Sequence, residues 1–147
     1  MPRRPVRVGL DSNFLIALIS EWHVQHVRTL RSYQGWIAQG ATPVIPLHSM
    51  SECYSVLTRI PAPRRLIPAV AKQALEENFR EAVIGVVRPE TLWHIIDSVA
   101  RLGLGGGQIY DALIAHSAAQ AGATVLLTWN TKHFLPIAPD GLEIREP

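Results

Sequence analysis

Short apolar runs of β character alternate with longer runs of helical spacing along this chain, and that alternation limits the available folds more than any other feature. Val6-Arg7-Val8-Gly9-Leu10 predicts a first strand, the polar turn Asp11-Ser12-Asn13 follows, and Phe14 to Ile19 predicts a helix. From His23 to Gln39 the apolar positions Val27, Leu30, Tyr33 or Trp36, and Ile37 recur at helical spacing, with Gly40 as a stop. Pro43 to Leu47 reads as a second strand bracketed by prolines, and Ser49-Met50-Ser51-Glu52 opens a helix that runs to Arg59. Pro61, Pro63 and Pro68 then break the chain before a helix from Ala69 to Phe79. Val83 to Val87 predicts a third strand and Pro89 to Leu102 a helix with proline near its first position. Ile109 to Ala121 is an Ala-rich helix closed by Gly122, Ala123 to Thr128 a fourth strand, and Leu142-Glu143-Ile144 the candidate for a fifth.

Strands separated by helices pair in parallel through crossovers, which places helices on both faces of the sheet. The expectation is an α/β protein with a mostly parallel sheet of four or five strands. One domain over residues 1–147 follows from the length, since a chain of this size buries roughly two-thirds of its unfolded surface in a single core. No internal repeat, low-complexity segment or linker divides it.

Charge excludes little. Fourteen basic residues against twelve acidic ones leave a net charge of +2, so overall charge permits a nucleic-acid partner without requiring one. All the basic residues except Lys72 and Lys132 are arginine, whose planar fork suits phosphates. A lone Cys53 allows no disulfide within the chain and no Cys-rich zinc site, so a reducing cytoplasm is the expected setting. The basic start up to Arg7 is followed by Asp11, Ser12 and Asn13 before any hydrophobic segment forms, which argues against a signal peptide, and no run is long enough to span a membrane.

Four polar positions fall where an α/β crevice would collect them: Asp11 after the first strand, Glu52 and Asp111 near helix starts, and Asn130 after the fourth strand. Clustered carboxylates repel one another unless a hard cation lies among them, and magnesium and manganese prefer carboxylate oxygens. Each position also has an ordinary structural reading. Asp11 can cap the helix behind it, Glu52 can close a capping box with Ser49, Asp111 can answer a helix dipole, and Asn130 can be a turn residue. Only their joint placement favours a metal site.

In this order the motifs resemble a known family. Leu10-Asp11-Ser12-Asn13, then Ser51-Glu52, then Tyr110-Asp111-Ala112-Leu113-Ile114-Ala115, then Leu127-Thr128-Trp129-Asn130-Thr131-Lys132-His133-Phe134 are similar to the PIN domain over nearly the whole chain, and in its small single-domain form to the VapC-type ribonuclease toxins. The resemblance implies an endoribonuclease that uses Mg2+ or Mn2+ held by Asp11, Glu52 and Asp111, with Asn130 where the family usually places a fourth acid. The missing charge implies one tightly held ion rather than two. Asn13 and Thr128 would support the ligands or the scissile phosphate by hydrogen bonds. The same resemblance implies an RNA substrate, tRNA or ribosomal RNA, together with a cognate antitoxin and a homodimer.

Two other readings compete. A non-catalytic RNA-binding or scaffold PIN domain would account for Asn130, and a receiver-like, magnesium-dependent phosphotransfer domain would also gather acids at strand ends, although the adjacent acid pair that such domains carry is absent. Among other signals, His23 and His26 lack a third ligand. His48, His94, His116 and His133 are scattered in sequence, Gly105-Gly106-Gly107 lacks the ending of a phosphate loop, and of the four tryptophans only Trp129 adjoins the proposed site.

Overall fold

The chain leaves its first strand in one direction across the sheet and later returns to build the other half. In the computed structural model, which describes residues 4–147, the order is β1 (Arg7–Leu10), α1 (Ser12–Ile19), α2 (His26–Ala38), β2 (Thr42–Pro46), α3 (Leu47–Arg59), α4 (Pro68–Phe79), β3 (Val83–Gly85), α5 (Pro89–Arg101), α6 (Gln108–Gln120), β4 (Ala123–Leu127), α7 (Thr131–Phe134) and β5 (Glu143–Arg145). The five strands lie in the order β3-β2-β1-β4-β5, every neighbouring pair parallel. Strand order reverses between β1 and β4, so a crevice opens beyond their carboxyl ends.

Alternation along the strands supplies two cores. Val8, Leu10, Ile45 and Leu127 pack on one face with Phe14 and Leu15 from α1, Cys53 and Leu57 from α3, and Phe79 from α4. Val44 and Leu126 point the other way, against Ile95, Ala112, Ala115, Ala118 and Phe134. Small residues set the depth of α6. A Cβ on Gly9 would stand 3.0 Å from the Ala118 Cβ, and one on Gly85 only 2.7 Å from the Ser117 carbonyl oxygen. The α6 backbone therefore lies close on the sheet, and that seat fixes where its first turn ends up.

The structure departs from the sequence reading in two places that matter for the site. The helix α2 starts at His26 and turns Thr29, Leu30, Tyr33 and Trp36 inward, while Val27 and Ile37 face solvent. Buried Thr29 is tolerated there because its hydroxyl accepts the Trp129 indole N–H at 2.9 Å, a polar pairing that apolar spacing cannot reveal. The helix α3 begins at Leu47, directly from β2, with Pro46 at its N-cap and no side-chain cap. Ser49 is thus already inside the helix, its buried hydroxyl without a partner among the described residues, and the expected capping box with Glu52 does not form. Glu52 falls in the second turn, with its carboxylate released from any capping duty.

Candidate active site

Asp11 sits where β1 hands over to α1. Its N–H still donates to the Leu127 carbonyl at 3.1 Å, one step beyond the strand ladder, which pins its backbone between β1 and β4. The side chain is 4% exposed. Oδ1 accepts the Ser12 N–H at 2.7 Å, so the capping role read from sequence exists, and Oδ2 accepts the Thr128 hydroxyl at 2.8 Å. Burial pushes the Asp11 carboxyl up to about 6, the bonds from Thr128 and Ser12 oppose that rise, and the charges of Asp111 and Glu52 add to it.

Thr128 and Asn13 form the polar support beneath this carboxylate. The Asn13 amide donates to Thr128 Oγ1 at 3.4 Å, its oxygen accepts the Trp129 N–H at 3.2 Å, and Thr128 Oγ1 accepts the Asn130 N–H at 3.0 Å. Trp129 is held in turn by Thr29, with the Arg28 guanidinium 5.0 Å above its ring.

Glu52 reaches the same crevice from α3. Its Oε1 accepts the Ser12 hydroxyl at 2.9 Å, and because a hydroxyl carries one proton, this contact takes precedence over the 3.3 Å approach of the same hydroxyl to Asp11. Ser12 thereby links the two acids, donating from its backbone to one and from its side chain to the other. The second Glu52 oxygen lies 3.2 Å from His48 Nε2, one helical turn earlier. The His48 ring stacks on Tyr110 with centroids 4.9 Å apart and planes 6° from parallel.

Asp111 comes from the first turn of α6, directly after Tyr110. Burial raises its carboxyl above the ordinary range; the charges of His133 and His48 oppose the rise and that of Glu52 adds to it. The His133 Nδ1 stands 3.7 Å from Asp111 Oδ2 but 2.8 Å from the Asn130 side-chain nitrogen, so the hydrogen bond belongs to Asn130 and the carboxylate has only proximity. Asn130 therefore contacts the group beside Asp111 rather than any acid.

The fold brings Asp11, Glu52 and Asp111 into one electrostatic neighbourhood. Among the described residues no three His, Cys, Asp or Glu side chains stand close enough to hold an ion as they lie, so the acids form an open set rather than a finished cage. No Lys or Arg figures among the charges that act on Asp11 or Asp111, and both carboxyls are raised. Three carboxylates with an amide nearby and no thiolate are the donor chemistry of a hard divalent cation, which would also relieve the repulsion among these acids. The donor set fits such an ion. Sequence reasoning passed over Ser12, His48 and His133; spacing carried faint signals, since His48 precedes Glu52 by four residues and His133 follows Asn130 by three.

Comparison with known proteins agrees with this reading of the fold. Residues 8–135 match the sequence profile of the PIN domain. Ribonuclease VapC27 of Mycobacterium tuberculosis is 31% identical over 113 residues, which cover 77% of this chain and 77% of that protein. Ribonuclease VapC40 of the same species is 31% identical over 119 residues, covering 81% of this chain and 84% of that one. The crystal structure of VapBC2 from Rickettsia felis, bound to a DNA fragment from their promoter, has a similar fold, with a TM-score of 0.68 at 18% identity, over 97% of this chain and 99% of that one. With a profile match across most of its length and these relatives beside it, the chain belongs to the PIN domain family.

Proposed function

We propose that this chain is a metal-dependent endoribonuclease and the toxin of a type II toxin-antitoxin pair, hydrolysing RNA at the crevice between β1 and β4. The observation that carries the proposal is the convergence of buried Asp11 with Glu52 and Asp111 in a member of a family whose matched relatives are named ribonucleases. Asp11, Glu52 and Asp111 would hold Mg2+ or Mn2+, which supplies a water of lowered pKa and charge stabilisation at the phosphate. Asp11 offers oxygens already fixed by Ser12 and Thr128, Asn13 holds the Thr128–Trp129 turn, and Asn130 in the place of a fourth acid limits the site to one tightly held ion. Attack of water on phosphorus with departure of the 3′ oxygen leaves a 5′-phosphate and a 3′-hydroxyl.

The substrate is expected to be tRNA or ribosomal RNA, the setting cytoplasmic. No described helix is long and apolar enough to cross a membrane. A cognate antitoxin follows from the toxin reading; a mostly apolar cavity of 380 Å³ lined by Met50, Leu75, Phe79, Ala82 and Ile84, with Glu76 and Arg80 also on its wall, offers room for part of such a partner. Exposed Leu92, Trp93 and Ile96 on α5 leave apolar surface for a homodimer.

Purified protein incubated with tRNA and ribosomal RNA in the presence of Mn2+ tests the reading. Cleavage that chelator and Asp11→Ala both abolish supports it; intact RNA under all conditions overturns it. A scaffold role is the second reading, favoured by Asn130, whose amide engages His133 instead of adding a charge. RNA binding without cleavage would select it. Membership of the PIN family sets aside the receiver-like alternative.

A further inference from the structure

We propose that the stacked rings of Tyr110 and His48 form a platform on which an unpaired base of the RNA substrate stacks beside the scissile phosphate. This inference rests on the ribonuclease reading above and adds a base-binding element to it. The two rings lie nearly parallel, 6° apart in plane, with centroids at 4.9 Å, while Tyr110 remains 51% exposed. With one stacked neighbour and half of the residue exposed, Tyr110 leaves surface open against which a further ring can rest and continue the pile.

Position ties this platform to the acids. Tyr110 immediately precedes Asp111 on α6, and His48 stands one turn before Glu52 on α3 with its Nε2 3.2 Å from the Glu52 carboxylate. A base resting there is held next to the crevice by the same two helices that carry the Glu52 and Asp111 carboxylates. The acids repel phosphates unless a cation lies among them, so an aromatic face beside them adds an attraction for a nucleotide that acts through its base. Trp129, the aromatic that sequence alone placed nearest the site, is less suited: Arg28 lies over its ring and its indole N–H is committed to Thr29. Every base has a π face, so the platform selects unpaired nucleotides without selecting a sequence.

The test measures fluorescence anisotropy of a short labelled oligoadenylate, with Ca2+ present, against the same backbone carrying abasic riboses. Tyr110→Ala is expected to weaken oligoadenylate binding by about 5- to 100-fold, the range that loss of one stacked base covers, while Tyr110→Phe stays within about twofold. The abasic strand is expected to bind wild type and Tyr110→Ala alike. Tyr110→Leu, which keeps apolar packing but has no π face, should repeat the base-dependent loss and stands in if the alanine variant fails to fold. Undiminished oligoadenylate binding by the folded variants, or an equal loss on the abasic strand, overturns the platform. Chelator-sensitive cleavage by wild type judges the ribonuclease reading separately: a wild type that cleaves while Tyr110→Ala and Tyr110→Leu keep full affinity for bases sinks the platform alone, and one that neither binds nor cleaves RNA sinks both.

Discussion

The two sides of the crevice are built differently. On the strand side, Asp11 is buried, its backbone continues the β1–β4 ladder, and each of its oxygens accepts a protein hydrogen bond. On the helix side, Glu52 and Asp111 come from α3 and α6 and remain partly open to solvent, with their outer oxygens near His48 and His133. The first side is buried and tied to the sheet before any ion arrives; the second is held by contacts that solvent can reach, Ser12 and His48 on Glu52 and His133 near Asp111. A shared cation would bind to a fixed oxygen pair and draw the helix-borne carboxylates towards it, so the strand side supplies position and the helix side supplies adjustment.

Substitution at the fixed side should have the largest effect. Asp11→Asn keeps the shape and removes the charge, and cleavage measured on a common RNA substrate should fall by about a thousandfold, equivalent to about 4 kcal/mol of lost transition-state stabilisation. Retention of activity within tenfold would mean that Asp11 is a cap and nothing more.

The same burial predicts a pH effect of opposite sign on stability. Asp11 goes from 3.8 to about 6 on folding, so folding favours its protonated form. The stability this lends to the metal-free protein is complete below pH 3.8 and is lost as pH rises through about 6, amounting to about 3 kcal/mol at 1.36 kcal/mol per pKa unit. Thermal melting from pH 4 to 7 should show this fall in wild type and not in Asp11→Asn, and added Mn2+ should restore it at pH 7. Parallel curves for the two proteins would remove the claim that Asp11 is held as an uncompensated buried acid.

On the adjustable side, Glu52→Gln and Asp111→Asn should leave the fold intact and weaken Mn2+ by at least about a hundredfold, since loss of a ligand costs no less than loss of one of the outer partners that orient it. Their melting curves should stay closer to wild type than that of Asp11→Asn, because neither carboxylate is as deeply buried. The smallest effect belongs to the support: Thr128→Val removes the hydroxyl that Asp11 and Asn130 share, and Mn2+ affinity should drop about tenfold. A larger loss there than at Glu52 would reverse the assignment of fixed and adjustable sides.

Much of this arrangement was legible in the chain because it depends on local alternation. The strand-turn-helix at residues 6–19 placed Asp11 at the carboxyl end of the first strand, and the Ala-rich run from Ile109 placed Asp111 near a helix start; the fold makes that strand central and puts Asp111 in the first turn. What spacing could not supply was pairing across the fold. Ser12 bridges to Glu52 forty positions away, Trp129 reaches Thr29, and His48 meets Tyr110, all contacts made by topology rather than by neighbours in sequence. The capping box at Ser49 misled for the same reason, since β2 runs into α3 without the polar turn that such a box requires.

Calorimetric titration of Mn2+ into the metal-free chain and its Asp11→Asn, Glu52→Gln and Asp111→Asn variants tests the shared site most directly. One ion per wild-type chain, weakened at least tenfold by each of the three substitutions, is the predicted result. Any one of the variants binding Mn2+ as tightly as wild type would contradict it.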